Sequence, residues 1–446
     1  TPMTPPSRPA PRMAKSRPLK PLQGHMNTPG DKSVSHRALI LGALANGTAR
    51  ISGLLESDDV LATADAVSRL GASAGRTGPG VWTVKGTGGR FEDAASSLDF
   101  GNSGTGARLM MGAVAGTGAS ARFIGDASLS ARPMGRVTEP LVQMGAAIAA
   151  EADRLPVQLN ASTLKGIDYR PPVASAQVKS AILLAALGAT GETIVREDHA
   201  TRDHTETMLK LFGADLTVES EGHGRIIRLT GPQTLTACDL DVPGDPSSAA
   251  FAAVAALILP GSDVILRAVM TNPSRTGLYE ALARMGADIT FLPAGQASGE
   301  DIADLRVRAS QLSAIDLEPD IAPSMIDEYP VLAVACAFAK GTSRLRGLSE
   351  LRAKESDRLA ATQAMLAANG AEARIDGEDL MITGGEVPGG GNVITHGDHR
   401  IAMAALVLGL AAHGGVSVDD INMIATSYPA FIDDMTALGA MIEAIE

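Results

Sequence analysis

Six of the chain's Gly-Ala pairs close a helical stretch and return at a nearly regular interval, and Leu, Met or Phe precedes all but one of these six. The copies are Gly71-Ala72, Gly145-Ala146, Gly213-Ala214, Gly286-Ala287, Gly370-Ala371 and Gly439-Ala440. Each ends a helical stretch and runs into an apolar one. Glycine is the usual stop there, because it takes the left-handed cap conformation without a side-chain clash. A second signature falls out of phase with the first: a polar turn rich in Gly, Asp and Ser that opens a helix of small apolar residues. It occurs at Gly30-Asp31-Lys32-Ser33, Gly101-Asn102-Ser103-Gly104-Thr105, Ala174-Ser175-Ala176-Gln177, Gly244-Asp245-Pro246-Ser247, Pro323-Ser324-Met325-Ile326-Asp327 and Gly397-Asp398-His399-Arg400. Self-similarity of this kind settles architecture before any single motif does, and it predicts six copies of one helix-plus-strand module.

A chain of 446 residues exceeds one ordinary core, so the six modules divide three and three. The break between halves falls near Asp239-Leu240-Asp241-Val242-Pro243, with its counterpart near Pro29. The expected lobes are 32–242 and 21–31 plus 243–446, with a cleft between them. Only 3% of residues are aromatic, which predicts slim, closely packed helices filled by Leu, Met, Val and Ala. Asp31, Ser175 and Asp398 are candidate N-caps, and Pro246 follows Asp245 at a first helical turn. Strands are expected at 48–55, 118–124, 192–196, 225–229, 261–267, 304–308 and 342–346. Amphipathic helices are expected at 58–70, 136–144, 203–212, 275–285 and 355–368. Residues 1–20 hold six prolines, five Lys or Arg and no acid, and read as a disordered basic tail without the apolar run of a secretory signal.

The net charge of −12 argues against nucleic acid as a partner, since phosphate backbones select broad basic surfaces. The apolar runs 181–187 and 249–259 are too short to span a bilayer, so no membrane is implied. Cys238 and Cys336 give neither a disulfide framework nor metal spacing, which suits a reducing cytoplasm.

The polar turns collect the residues with chemistry. Ser33 and Arg37 lie four apart on one helix face with Lys32 at the entrance, so the three can converge on an oxyanion. A capped helix with solvated charges would look the same. Lys354-Glu355-Ser356-Asp357-Arg358 places two cations on one helix face beside a carboxylate, also a common surface pattern. Asp398-His399-Arg400 opens an apolar helix, where charge is harder to dismiss. His396, Asp398 and His399 lack the further His or Cys that a metal would need. Gly101 to Gly106 has the wrong glycine order for a dinucleotide fingerprint but can form an anion nest.

Taken in order, Pro29-Gly30-Asp31-Lys32-Ser33 with His36-Arg37, Gly101-Asn102 with Gly104-Thr105 and Arg108, Arg132-Pro133-Met134, Ser175-Ala176-Gln177, Lys354-Glu355-Ser356-Asp357-Arg358 and Asp398-His399-Arg400-Ile401-Ala402-Met403 resemble the motifs of the 5-enolpyruvylshikimate-3-phosphate synthase family. The likeness runs from about residue 21 to the end. The wording of Ser175 to Ser180, Thr201-Arg202-Asp203-His204 and Ser324 to Pro330 is similar to the bacterial class II branch.

The resemblance implies an α/β fold of two similar lobes, each of three βαβαββ units with helices inside and sheets outside, an inside-out α/β barrel. It implies transfer of the enolpyruvyl group of phosphoenolpyruvate to the 5-hydroxyl of shikimate-3-phosphate, with release of phosphate and no cofactor or metal, by a cytoplasmic monomer. Carried over residue by residue, Lys32, Ser33, Arg37, Ser175, Ala176, Gln177, Arg202, Asp327 and Lys354 hold shikimate-3-phosphate. Lys32, Asn102, Gly104, Thr105, Arg132, Gln177, Arg358 and Arg400 hold phosphoenolpyruvate. Asp327 takes the proton of the attacking hydroxyl, Glu355 acts at the C3 methylene, and Lys32 and Lys354 neutralise developing charge. The two substrates bring roughly six negative charges, against the seven cations Lys32, Arg37, Arg132, Arg202, Lys354, Arg358 and Arg400. Glyphosate is implied as a competitor of phosphoenolpyruvate. Gly104 stands where some class II relatives have alanine, and Thr426-Ser427-Tyr428-Pro429 stands where class I members have a lysine.

Two other functions compete. The sister enzyme that acts on UDP-N-acetylglucosamine uses a loop cysteine, whereas Cys238 and Cys336 lie outside the polar loops. A non-catalytic binding protein for anionic metabolites would need the cations but neither Asp327 nor Glu355.

Overall fold

The computed structural model describes residues 9–445. All six Gly-Ala glycines have positive φ, from 81° at Gly370 to 108° at Gly145 and Gly439, and so act as the left-handed stops that the repeat requires. Between them the chain builds six four-stranded sheets, each repeating one pattern. In the first sheet, Leu240–Asp241 runs parallel to Thr48–Ser52, which pairs antiparallel with Val81–Lys85, which in turn pairs with Ser73–Gly78.

Six inner helices carry the small-residue runs. Lys32–Leu44, Gly104–Thr117 and Ala176–Ala186 belong to one hydrophobic core, and Pro246–Ile258, Tyr329–Phe338 and His399–Gly409 to a second. Their residues are buried nearly all round, as a helix enclosed by its own lobe must be. Small residues permit this: a Cβ on Gly112 would lie 2.1 Å from the Ala181 carbonyl oxygen, so the second and third helices touch backbone to backbone. The outer helices, such as Asp58–Arg69 and Gly277–Arg284, are amphipathic and cover one side each.

The chain passes between the lobes twice, at Gly30-Asp31 and at Pro243-Gly244, and the crossings are tied together. Asp31 N donates to the Pro243 carbonyl at 2.8 Å and Asp245 N to the Pro29 carbonyl at 2.8 Å, with Gly30 bridged to Gly244.

Two sequence readings need correction. Residues 1–8 lie outside the described residues, but Met13–Arg17 is not a disordered tail. It is an inner strand of the sixth sheet, antiparallel to Val416–Val418 on one side and Met441–Ile445 on the other. Its alternation explains the misreading: Ala14 and Ser16 are fully buried, while Met13, Lys15 and Arg17 face outward and give the segment its basic look. Gln23–Asn27 likewise completes the fourth sheet beside Asp263–Met270. The helix expected at 355–368 begins only at Arg358. Asp357 caps it by accepting from Ala360 N at 3.0 Å, which leaves Lys354 and Glu355 in the preceding turn and off any shared helix face with Arg358.

Candidate active site

The polar turns sit where the inner helices begin, and side chains perform the caps. Asp31 accepts from Val34 N, Ser103 from Gly106 N, Ser175 from Val178 N, Asp245 from Ser247 N and Ser248 N, and Asp398 from Arg400 N. A cavity of about 270 Å³ lies between the lobes. It is lined by first-turn or capping residues of five inner helices and by Asp327, two residues ahead of the sixth, Tyr329–Phe338. Helix starts present positive dipole ends and spare N–H groups, so gathering five around one space favours anions before any side chain is counted.

Side chains add to that field. Eight lysines and arginines face five carboxylates around the cavity. Most are paired across the cleft or within a lobe. Arg202 reaches Asp327 at 2.8 Å, Arg132 reaches Glu355 at 3.6 Å, and Lys32 reaches Asp59 at 3.3 Å. Lys354 and Arg400 are different: among the described residues neither head group has a hydrogen-bond or ion-pair partner, and Arg400, 4% exposed, has a buried Nε with none. A cation held out of water without a paired counter-ion is costly, and with Arg400 buried and Lys354 half-buried both favour anionic ligands. Burial pulls the Lys354 ammonium below the usual lysine range, against Asp327 and Glu355, which hold it up.

The two carboxylates are gripped by arginine. Arg358, 1% exposed, donates to Asp398 at 2.8 and 3.2 Å and to Asp327 at 3.2 Å, and pairs with Glu355 at 2.7 Å. Burial alone would raise both acids. The guanidiniums win: Arg202, Arg400 and Arg358 hold Asp327 well below the usual carboxylate range, and Arg358, with His399 and Arg132, does the same to Glu355. His399 is driven down to about 4, mainly by burial, so its ring is neutral at pH 7. Asp59 goes the other way, raised to about 6 by burial despite Lys32.

Of the residues singled out in the sequence, Lys32, Ser33, Gly104, Thr105, Arg132, Ser175, Ala176, Gln177, Arg202, Asp327, Lys354, Glu355 and Arg400 line this cavity. Arg37, Asn102 and Arg358 do not; they stand behind its wall. Arg37 turns beneath its helix, donating to Thr205 Oγ1 at 2.7 Å, Ser180 Oγ at 2.9 Å and the Ser33 carbonyl at 3.0 Å. It therefore does not converge on an oxyanion with Lys32 and Ser33. Asn102 spends its amide on Asp126 and offers its carbonyl to Arg132 at 2.7 Å. Arg108, Arg136 and Arg275 take up the cation count. Arg108 was visible as a motif member; its Nη1 donates to Gln177 Oε1 at 2.8 Å and orients that amide toward Thr105. Arg136 and its partner Glu350, 3.0 Å away, and Asp59 carry no sequence signal beyond an ordinary charge.

The sequence profile of EPSP synthase (3-phosphoshikimate 1-carboxyvinyltransferase) matches residues 16–435. A curated 3-phosphoshikimate 1-carboxyvinyltransferase of Maricaulis maris is 58% identical over 434 residues, 97% of either chain. The EPSP synthase of Acinetobacter baumannii superposes with a TM-score of 0.85 at 42% identity, covering 98% of this chain and 100% of that one. The enolpyruvyl transferase NikO of Streptomyces tendae, at 19% identity, shares the fold with a TM-score of 0.77 over 98% of this chain and 99% of its own. With its two-lobed α/β architecture and inter-lobe anion site, this chain belongs to the EPSP synthase family.

Proposed function

We propose that this protein transfers the enolpyruvyl group of phosphoenolpyruvate to the 5-hydroxyl of shikimate-3-phosphate, releasing inorganic phosphate. The observation that carries the reading is the meeting, in one cavity, of five inner-helix starts, the unpartnered cations Lys354 and Arg400, and two arginine-held carboxylates. Arg202, Ser33, Ser175, Ala176 and Gln177 hold shikimate-3-phosphate, and Asp327 takes the proton of its 5-hydroxyl as the oxygen attacks C2. Arg132, Arg400, Gly104 and Thr105 hold phosphoenolpyruvate, with Lys32 and Lys354 between the two anions. Glu355 gives a proton to C3 and takes one back as the tetrahedral intermediate expels phosphate. Arg37, Asn102 and Arg358 act through Ser33, Arg132 and the two carboxylates respectively.

The depressed acidity range of Glu355 fits this sequence of events. Without ligand it is an anion and cannot donate. Roughly six incoming negative charges compete for Arg132 and Arg358, and that raises its proton affinity toward the working pH. Substrate binding thereby arms the acid. The crossings at Gly30-Asp31 and Pro243-Gly244 are the hinge between the lobe 32–242 and a second lobe that joins 243–445 to the N-terminal strands from Met13 onward, which the sequence reading had begun only at 21. The class II wording, the cytoplasmic monomer and the competition by glyphosate belong to the same proposal. Cys238 and Cys336 are free thiols, and among the described residues no helix is long and apolar enough to cross a membrane.

Neither cysteine lines the cavity, and burial pushes the Cys336 thiol up to about 12, which disfavours the UDP-N-acetylglucosamine alternative. Phosphorus NMR of the protein with both substrates and a chelator tests the reading: inorganic phosphate and an enolpyruvyl product support it, and binding of both ligands without turnover rejects it.

A further inference from the structure

Arg275 lies in the turn Pro273–Arg275, outside every motif of the chain, and is 2% exposed. Its guanidinium stands where the two lobe crossings meet. Nη1 donates to Asp31 at 2.7 Å, and Nη2 donates to Asp245 at 3.1 Å and to Ser247 Oγ at 3.2 Å. Those two aspartates cap the first inner helix of each lobe, and Asp245 also accepts from Lys32 N at 3.1 Å. Nη1 further approaches His204 Nε2 at 3.2 Å. Arginine only donates, so that nitrogen accepts, and His204 Nδ1–H donates to Glu300 at 2.9 Å. His204 is two residues beyond Arg202.

We infer that Arg275 is a positioning residue that sets Lys32 and Arg202 in the closed cleft by holding the caps of both crossings and His204 in one planar fork. One guanidinium spans three anchors with separate N–H groups, which an ammonium cannot do. Its hold on Lys32 runs through Asp31 and Asp245, and its hold on Arg202 runs through His204. Both crossings therefore share one pin, and Lys32 and Arg202 are set by it together.

This inference rests on the proposed function, and the test separates the two. Wild-type turnover and the dissociation constant for shikimate-3-phosphate, by calorimetry, are measured first and judge the reaction on their own. Arg275→Lys, which keeps the charge but not the fork, is then combined in double-mutant cycles with Lys32→Met and with Arg202→Lys. The expected loss in kcat/KM and in affinity is roughly 10- to 100-fold for Arg275→Lys in the wild-type background, and under about 3-fold beside either second substitution. Thermal melts establish that each variant is folded, and Arg275→Gln replaces the lysine variant if that one is not. A merely structural residue, or one that touches substrate directly, gives losses that multiply in full in both backgrounds, and that result overturns the inference. So does a folded Arg275→Lys with wild-type constants.

Discussion

Gly104→Ala separates stability from ligand grip at the cavity wall. Gly104 is the first residue of the helix Gly104–Thr117, capped by Ser103. Its φ is not in the left-handed region, so the backbone accepts alanine, and replacing a helical glycine contributes up to ~1 kcal/mol of stability. The new methyl would stand 2.8 Å from Arg108 Nη1 and 3.1 Å from Arg132 Nη1. Carbon contacts relax at about 3.5 Å, so both guanidiniums withdraw by roughly 0.4 to 0.7 Å. Arg132 then loosens its 2.7 Å bond to the Asn102 carbonyl, and Arg108 its 2.8 Å bond to Gln177. A charge-assisted hydrogen bond contributes about 1.5–3 kcal/mol, and loss of one on the ligand side is roughly 10- to 100-fold in affinity. Under the proposed competition, glyphosate, longer than phosphoenolpyruvate, would meet the methyl first. The assay is phosphate release against glyphosate and phosphoenolpyruvate concentration, with a thermal melt alongside. The inhibition constant is expected to rise roughly 10- to 100-fold, KM to rise less, and the melting temperature to hold or increase. An unchanged inhibition constant refutes the steric reasoning, and a fall in melting temperature refutes the account of the backbone.

Glu355→Gln keeps the shape of the site, removes the proton carrier and gives up the ion pair with Arg358, so kcat should fall by roughly 10²–10⁴ and the melt should drop while the protein stays folded; wild-type turnover would end its acid/base role. Arg358→Met leaves Asp398, Asp327 and Glu355 without their shared cation, and urea unfolding should show about 3–5 kcal/mol of lost stability; a loss under 1 kcal/mol would mean the arginine is not the clamp. Asp327 and Glu355 have folded ranges below their unfolded ones, so their contribution to stability is full above about pH 4–5 and is lost as pH falls through the depressed range. The wild-type melt should therefore drop steeply below about pH 4, and Arg358→Met should flatten that drop. Glu300 has the opposite sign. Burial raises it to about 7, so it favours the fold below about pH 4.5 and that benefit is lost as pH rises through 7. Glu300→Gln should raise the melt at pH 8 and leave it nearly unchanged at pH 5; equal shifts at both would dismiss the ionisation argument.

What the sequence made legible was local. A helix stop at Gly71 or Gly439 and a cap at Asp31 or Asp245 are each decided within a few residues, by φ and by one side-chain oxygen, and their sixfold return fixes the architecture. Met13–Arg17 escaped because its strand partners lie some 400 residues away at Val416–Val418 and Met441–Ile445, while its own exposed face carries the polar and basic residues. The arginines show the same limit inside the site. Arg37 sits on an inner helix with no solvent side, so periodicity gives its azimuth but no destination; Thr205 and Ser180, from two other helices, turn it away from the cavity. Arg275, expected at the start of a helix over 275–285, lies instead in the turn before Gly277–Arg284, where two caps from opposite lobes each offer it a carboxylate at the crossing. Yet cations still outnumber carboxylates around the cavity, eight to five. Arg108, Arg136 and Arg275 stand in that count for residues that turned aside, although Arg136 is paired with Glu350 and Arg275 with Asp31 and Asp245. Cation number is a property of the cavity that composition and repeat already imply, whereas the identity of each cation is a property of packing between distant segments. Substitutions that move one positive charge along the wall should therefore disturb orientation, read in kcat, more than they disturb the overall attraction for anions, read in the salt dependence of KM.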